Sequence, residues 1–398
     1  MLKFRPEKED WERSLETFNR TGGSGVAWEV LLCVVSLLAI GAVMVYSATT
    51  MFADNARYNV EADFFFWKHL VSMLIACFAG WIAYLIPMRY WYRWAPWIFG
   101  LALILLIAVL IPGVGKVVNG SRRWIGLGVM NLQVSEVMKV AALIMAAWYT
   151  VKRLDYRHSF QKGFFPIASL MFVVVGLLMW QPDLGATAVI AAEIMGVLFL
   201  GGLNMKIFSF VSVLVLGFVV SMIYLTPWRM LRFLSYLDPW SPEYVLGTAY
   251  QLSHSLIAFG RGEIFGVGLG ASVEKLYYLP EAHTDFIMAV IAEETGFVGV
   301  TIVLFLYYWF IRYAFEIGRQ AIKLERYFQG LLAQGIGLWI GVQVAINVGV
   351  ASGALPTKGL TLPFVSFGGS ALLSGMIAVG LLLRVDKENR ILMRGGQV

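Results

Sequence analysis

The chain has 398 residues, of which 59% are hydrophobic and 14% are charged, with a formal net charge of +6. Apolar runs of about 20 residues recur along its length, and a helix of that size crosses the hydrocarbon core of a bilayer. The composition therefore excludes a soluble enzyme and predicts an integral membrane protein. The basic residues are spread over many short loops, so the positive charge indicates membrane topology rather than nucleic-acid binding.

The first 27 residues are polar and mixed in charge. They lack the apolar core of a cleavable signal peptide, so residues 1–27 are predicted to form a cytoplasmic tail. Ten apolar segments follow, and they predict an all-α polytopic membrane protein with spans near 28–48, 67–87, 94–112, 134–150, 165–181, 186–203, 206–226, 284–311, 329–350 and 369–384. Residues 28–384 are expected to form one membrane domain, and residues 385–398 a cytoplasmic C-terminal tail.

Most of the 31 Lys and Arg residues fall on the side of the membrane that would carry both termini. The positive-inside rule therefore places the two termini in the cytoplasm. Two connections on the opposite, periplasmic side are long, 113–133 and 227–283, and long ordered loops are usually functional. In the second, between spans 7 and 8, the apolar spacing of residues 249–259 predicts a helix lying along the membrane interface.

Three acids within or between the spans are candidates for function. Glu136 and Lys139 lie three residues apart in the fourth span, so we expect an ion pair, which either holds the bundle together or borders a polar cavity. Asp183, in the turn 181–185, is suited equally to capping a helix and to a functional role. Glu193 has no partner that the sequence identifies.

The strongest candidate site lies where the long loop enters the eighth span. Glu281, His283 and Asp285 form an ionisable cluster there, and a charge at such a position is costly and usually functional. Asp285 is expected in the first turn of the span, with Glu293 and Glu294 roughly 12–14 Å deeper. A simple helix-start role for Asp285 stays open, because acids stabilise helix N-termini.

Several basic residues are expected on the periplasmic side or within the spans, where cations are normally depleted. This set suits an anionic ligand such as a lipid-linked diphosphate. A carboxylate beside it could act as a general base for attack by a sugar hydroxyl, with the diphosphate as leaving group. The basic residues are Arg122, Arg123, Lys139, Arg229, Arg232, Arg261, Lys275 and Lys358.

Sequence motifs along nearly the whole chain resemble those of the SEDS family of bacterial cell-wall synthesis, and its division branch more than its elongation branch. They are Met44-Val-Tyr-Ser47, Asn119-Gly-Ser-Arg-Arg-Trp124, Gln181-Pro-Asp-Leu-Gly185, Gly260-Arg-Gly-Glu263, the run from Lys275 to Phe286, and the run from Lys358 to Ser366 leading into Gly368-Gly-Ser370. The chain departs from the family pattern at Phe367, where the family usually has Tyr.

The resemblance implies a peptidoglycan glycosyltransferase that polymerises lipid II at the division septum, on the periplasmic face of the inner membrane. Expected partners are an undecaprenyl-linked glycan strand, a class B penicillin-binding protein of the FtsI type and division-complex regulators. Asp285 would be the catalytic residue. The substrate-binding residues would be Glu136, Lys139, Asp183, Arg122, Arg123, Arg261, Gln251, Glu281, His283, Lys358, Ser366 and Ser370.

Other readings of the same residues stay open. A lipid II flippase would use the same charged cavity without chemistry, and a septal scaffold would leave the periplasmic acids unexplained. No protein metal site is expected, since the four His residues show no ligand spacing, whereas assistance from Mg or Mn is left open. At Asp285 a helix N-terminus would lower the pKa of the carboxyl, whereas burial and Glu281 would raise it.

Overall fold

A computed structural model describes residues 27–51, 63–118, 120–126, 131–156 and 159–397. The predicted N-terminal tail, apart from its last residue, and Asn119 of the second motif lie outside the described residues. Twelve α-helices are described: α1 (Trp28–Thr49), α2 (Phe64–Leu85), α3 (Met88–Ala108), α4 (Val134–Lys152), α5 (Phe165–Trp180), α6 (Leu184–Leu200), α7 (Met205–Tyr224), α8 (Pro227–Leu237), α9 (Tyr250–Gly262), α10 (Ile287–Lys323), α11 (Tyr327–Ala351) and α12 (Gly369–Met393).

Within the described residues, nine helices are long and apolar enough to cross a membrane, the fifth counted from Phe160, one turn ahead of α5. Helix α6 is also apolar but has 17 residues. The predicted all-α polytopic membrane fold is confirmed. A count of ten spans requires α6 as the tenth, and that count, like the orientation of the termini, stays a prediction.

The helices differ in how deeply they lie in the bundle. The apolar windows of α4 and α12 are 83% and 78% buried, whereas that of α7 is not buried at all. Helices α4, α11 and α12 therefore form the centre, and α7 lies at the periphery, where Phe208 packs against Phe199 of α6. A central position suits α4 and α11, because these two helices carry the polar side chains described below.

A small antiparallel sheet interrupts the helices between α3 and α4. Its strands are β1 (Gly115–Val118), β2 (Ser121–Gly126) and β3 (Asn131–Gln133), in the order β1-β2-β3. Sequence analysis assigned the whole of 113–133 to a loop, so that expectation was wrong. The tight turn at Gly120 (φ 74°) folds β2 back on β1, and β3 continues directly into α4.

The long connection 227–283 contains two helices that do not qualify as spans, α8 and α9. The helix predicted at 249–259 is confirmed as α9, whereas its position along the membrane interface stays a prediction. Helix α8 was not predicted. The Tyr236 hydroxyl on α8 donates to the carbonyl of Ala354 at 2.9 Å, and Ser255 on α9 donates to the carbonyl of Ala351 at 2.6 Å. Both helices are therefore fastened at the end of α11. We call this face of the bundle, together with the sheet, the loop side.

Helix α10 is not continuous. Gly296 has φ 67° and ψ −164°, which breaks the helix, and a Cβ at this position would lie 2.4 Å from the backbone nitrogen of Gly266. Large apolar side chains become exposed only from Phe297 onward, whereas Ile287–Ala292 are buried. The helix predicted at 284–311 is therefore present, but it begins at Ile287 and is interrupted at Gly296. Glu293 and Glu294 lie in the short buried segment before this break.

Candidate active site

The predicted acidic cluster lies in a turn just before α10, not in the first turn of the helix. Helix α10 begins at Ile287, and residues 281–286, the acidic segment, form consecutive turns in which the Thr284 and Phe286 N–H groups donate to the Glu281 carbonyl. Glu281 itself adopts φ 57°, an uncommon backbone conformation for a residue with a side chain. The carboxylate of Asp285 caps no helix N–H, and Asp285 lies two residues before the first residue of α10.

The connection between α11 and α12, residues 352–368, holds the acidic segment in place. The side-chain amide of Asn347 donates to the carbonyls of Asp285 at 2.8 Å and Leu360 at 2.6 Å. The Phe367 N–H donates to the carbonyl of His283 at 2.9 Å. One amide on α11 thus joins both segments. Sequence analysis missed Asn347, although an amide inside a predicted span is itself a signal.

Asp285 is half-buried, and its carboxylate makes no hydrogen bond to another described residue. Burial, followed by the charges of Glu281 and Asp183, raises its pKa to about 7, against the lowering effect of Arg123. Burial is therefore the largest cause of the raised pKa. A carboxyl with such a pKa is a base near neutral pH that can also be protonated there.

Asp183, which precedes α6, and Arg123, on β2, lie close enough to Asp285 for their charges to act on it. Asp183 caps α6 by accepting the N–H of Ala186 at 3.2 Å, and also accepts the Ser135 hydroxyl at 2.9 Å. Arg123, on β2, reaches it with Nη1 to Oδ1 at 3.9 Å and donates to the carbonyl of Gln181 at 2.8 Å. Asp183 therefore has the capping role, and its charge acts on Asp285 as well.

The predicted ion pair in α4 is present and sealed inside the bundle. Lys139 Nζ lies 2.6 Å from Glu136 Oε1 and 3.0 Å from Gln343 Oε1 on α11, and Ser374 on α12 donates to Glu136 at 3.1 Å. The Gln343 amide then donates to the carbonyl of Thr361 at 2.9 Å. These contacts match the alternative in which the pair holds the bundle together, and Lys139, with no exposed surface, is not placed to touch a diphosphate.

Glu193 on α6 is the other buried acid of the bundle. It is fully buried, and neither carboxylate oxygen has a hydrogen-bond partner among the described residues. Its charge interacts with those of Lys139 and Glu136. No contact connects Glu193 to the acidic segment.

Ser366 and Ser370 are buried and bonded to backbone. The Ser366 hydroxyl donates to the Thr284 carbonyl at 2.5 Å and accepts the Leu362 N–H at 2.8 Å. The Ser370 hydroxyl donates to the carbonyl of Asn131 at 2.9 Å and accepts the Gln133 N–H at 2.8 Å. Both side chains therefore hold the acidic segment and the sheet in position. Neither faces an open pocket, although the family resemblance implied that both bind substrate.

Gly359 and Lys358 bring the α11–α12 connection against Asp285. A Cβ on Gly359 would lie 2.7 Å from Asp285 Oδ2, so only glycine leaves the carboxylate where it is. Lys358 is half-buried and forms no ion pair with a described acid. Burial, followed by the charges of Arg232 and Arg229, lowers the pKa of Lys358 to about 8.

Arg261 lies in a different cluster from the one expected. Its guanidinium pairs with Glu293 at 2.7 Å, and Lys275 pairs with Glu294 at 2.7 Å and donates to the Ser47 hydroxyl at 2.8 Å. We call these five residues the latch cluster. It fastens the loop to the break in α10 and to α1, so Arg261 is committed to a structural ion pair rather than to a diphosphate.

The remaining predicted residues have separate positions. Arg122 on β2 donates to the carbonyl of Leu110 at 3.2 Å, and Gln251 is half-buried in the first turn of α9. His283 packs its ring against Phe367 with centroids 5.6 Å apart, and burial lowers the pKa of its imidazole. Phe367 therefore makes an aromatic contact with His283, and this contact does not require the hydroxyl of the Tyr that the family usually has. Among the described residues no group of three His, Cys, Asp or Glu side chains could hold a metal ion.

Comparison with known proteins adds three findings. The family model of the FtsW, RodA and SpoVE cell cycle proteins matches residues 28–391. Two similar relatives are each named probable peptidoglycan glycosyltransferase FtsW. The protein from Burkholderia thailandensis is 54% identical, and the match covers 93% of this chain and 80% of the relative. The protein from Polynucleobacter necessarius is 55% identical, and the match covers 94% of this chain and 88% of the relative.

Solved structures with the same fold are also found. A chain of a peptidoglycan synthase complex, described as coordinating polymerization and crosslinking, superposes with a TM-score of 0.72 at 28% identity, covering 92% of this chain and 98% of that one. The Thermus thermophilus rod shape determining protein RodA superposes with a TM-score of 0.66 at 27% identity, covering 92% and 97%.

Proposed function

The chain belongs to the FtsW, RodA and SpoVE family of cell cycle proteins, and on that premise we propose that it is a peptidoglycan glycosyltransferase with Asp285 as its catalytic base. The single observation that carries the assignment is the state of the Asp285 carboxylate. The residue is half-buried, its carboxylate has no hydrogen-bond partner among the described residues, and the pKa of the carboxyl is raised to about 7. A general base works best with a pKa near the operating pH.

The substrate is lipid II, and the reaction transfers a glycan strand onto it. Asp285 takes the proton of the 4-hydroxyl group on the N-acetylglucosamine of the acceptor. The hydroxyl oxygen forms a bond to the anomeric carbon of the donor strand while the bond from that carbon to the diphosphate breaks. Undecaprenyl diphosphate leaves with the bonding electrons, and a single displacement converts the α anomer into a β linkage.

The surrounding residues prepare Asp285 for this step. Asn347, Ser366 and the N–H of Phe367 hold the backbone of the acidic segment from the α11–α12 connection. Glu281 and Asp183 add negative charge that keeps the carboxylate basic, and Arg123 limits that effect. Rigid support of this kind lowers the cost of orienting the base against the hydroxyl. A divalent cation, Mg or Mn, bound together with the diphosphate would offset part of its negative charge.

The proposal includes a place and a partner. The multi-pass chain lies in the inner membrane with the loop side, and hence Asp285, facing the periplasm at the division septum. A class B penicillin-binding protein of the FtsI type supplies crosslinking, and division-complex regulators act on the pair. The similarity to a chain of a peptidoglycan synthase complex supports such a partner.

The test compares wild type with Asp285→Asn, each purified with the cognate penicillin-binding protein and supplied with lipid II. General-base catalysis contributes about 10²–10⁴-fold, so we expect glycan polymer from wild type and a loss of that size in the Asn variant. Partner binding and melting temperature serve as controls for folding. Full polymerisation by the folded variant would exclude Asp285 as the base, and headgroup translocation in liposomes without polymer would favour the flippase.

A further inference from the structure

Of the five Lys and Arg residues that the family resemblance implies as substrate-binding, four are already engaged by protein partners. Arg122 and Arg123 bond to backbone carbonyls, and Arg123 also pairs with Asp183. Lys139 is enclosed with Glu136, and Arg261 pairs with Glu293. Among the five, this leaves Lys358 as the cation with neither an ion pair nor a hydrogen bond to a described residue. A diphosphate site beside Asp285 therefore needs further cations from the basic set that the sequence places on the periplasmic side or within the spans.

Helix α8 supplies two such cations. Arg229 and Arg232 are the residues whose charges act on Lys358, and neither forms an ion pair with a described acid. They lie three residues apart, and Tyr236 follows four residues after Arg232, so all three side chains share one face of α8. The bond from Tyr236 to the carbonyl of Ala354 turns that face toward the α11–α12 connection.

The environment of the two arginines fits a lipid-linked anion. Arg229 and Arg232 lie over the ring of Trp228, 5.1 and 5.5 Å from its centroid, and that ring is 47% exposed. An exposed Trp on a short amphipathic helix is typical of the membrane interface, where lipid phosphates lie. The Nε of Arg229 is buried and has no hydrogen-bond partner among the described residues. Such a donor is costly to bury unless a ligand accepts from it.

We propose that Lys358, Arg229 and Arg232 bind the diphosphate of the donor strand. This inference rests on the proposed function and names the subsite of its leaving group. Lys358 directly precedes Gly359, which lies against the Asp285 carboxylate. The donor's anomeric carbon must lie within bonding distance of the hydroxyl that Asp285 deprotonates. The diphosphate attached to that carbon therefore lies close to Asp285. Two guanidinium forks and one ammonium suit the several oxygens of a diphosphate.

The test measures binding without turnover, in the Asp285→Asn background. The probe is undecaprenyl diphosphate, compared with undecaprenyl monophosphate, added to protein in nanodiscs of phosphatidylcholine. Each lost charge-assisted hydrogen bond weakens binding by about 10-fold to 100-fold. We therefore expect at least about tenfold weaker diphosphate binding for Arg229→Gln with Arg232→Gln, and for Lys358→Gln, with the diphosphate affected more than the monophosphate.

Two controls keep the result specific. Lys116→Gln removes an exposed loop-side cation whose contact is a 3.3 Å bond to the side chain of Asn131, and it should bind like its parent. Arg229→Lys with Arg232→Lys keeps the charge and should restore part of the affinity, which a folding defect would not allow. Melting temperatures of all variants are measured in the same nanodiscs.

Three outcomes overturn the inference. The first is absence of diphosphate binding by the parent, and the second is unchanged binding by the folded Gln variants. The third is a loss seen only when phosphatidylglycerol is added, because the arginines then bind phospholipid headgroups. Since binding is read with Asp285 already replaced, these outcomes do not depend on whether Asp285 is the base. Polymerisation by the Asp285→Asn variant would remove the proposed base and leave the binding result readable.

Discussion

Asp285 and the two acids of the latch cluster lie on one short stretch of chain, but only the two latch acids form ion pairs with described residues. Glu293 and Glu294 each form an ion pair at 2.7 Å with a cation from the loop. Asp285, eight residues before Glu293, has no hydrogen-bond partner among the described residues, and its pKa is raised to about 7. The paired acids fasten the loop, and the unpaired acid is available for chemistry.

The paired and the unpaired carboxylates affect the stability of the fold in different ways. Pairing a buried carboxylate removes most of the cost of burying it, but the pair then resists any change in either partner. Leaving Asp285 unpaired costs stability and keeps the carboxylate basic. The same substitution, acid to amide, should therefore have opposite consequences in the two regions.

The largest expected effect on stability belongs to Glu294→Gln in the latch cluster. Lys275 is only 5% exposed and would keep its charge without a carboxylate, which costs about 3–5 kcal/mol. Thermal unfolding in nanodiscs measures the change, and Glu243→Gln on the exposed loop surface is the control, expected within about 0.5 kcal/mol of wild type. Adding Lys275→Gln should recover part of the loss, since the unpaired charge is then removed. Equal stability of Glu294→Gln and wild type would show that the latch pair contributes nothing.

Gly359→Ala should damage catalysis while the fold survives. The new Cβ would lie 2.7 Å from Asp285 Oδ2, and the carboxylate can move aside because it ends a flexible side chain. Misplacing a reacting group by about 1 Å can cost about 100-fold in rate. Polymer formation measured alongside melting temperature checks this, with Gly260→Ala in α9 as control because no atom lies within 4 Å of its Cβ position. A normal rate in Gly359→Ala would mean that the carboxylate position is not critical.

The pH profile of polymerisation should follow the ionisation of Asp285. The carboxyl must lose its proton to act as base, and burial, Glu281 and Asp183 raise its pKa to about 7. The rate should therefore rise with pH and level off above 7, with about one tenth of the plateau at pH 6. Glu281→Gln removes one cause of the raised pKa and should move the rising limb to lower pH. A rate that stays constant from pH 5 to 8 would contradict the assignment.

The sequence predicted local features of this molecule better than long-range pairing. Apolar runs predicted membrane helices, and the i,i+3 spacing predicted the Glu136–Lys139 pair, because neighbours on one helix determine both. Sequence analysis also chose Asp285 as the residue of interest, from the cost of placing a charge at the membrane.

What the sequence could not show depends on segments far apart along the chain. The pairing of Arg261 with Glu293 and the break at Gly296 arise where the loop packs on α10, so Arg261 was assigned to the diphosphate instead. The role of Asn347 depends on two segments meeting at one amide. The roles proposed for Arg229 and Arg232 depend on where α8 docks, which a pattern of charges does not reveal.

The smallest expected effect is a gain in stability for Asp285→Asn, the counterpart of the loss at Glu294. The folded-state pKa of Asp285 lies above the ordinary value of 3.8, so ionisation is unfavourable in the folded protein. Stability is therefore lost as pH rises from about 4 to 7, and the full penalty is present above pH 7. Because Asp285 is only half-buried, removing its charge should stabilise the protein by on the order of 1 kcal/mol at pH 8. The gain should shrink toward pH 4, where both forms of the folded protein are neutral at this position. Thermal unfolding of the two proteins at pH 5 and pH 8 measures the difference, and a lower melting temperature for the Asn variant at pH 8 would show that Asp285 stabilises the fold through a pairing of its own.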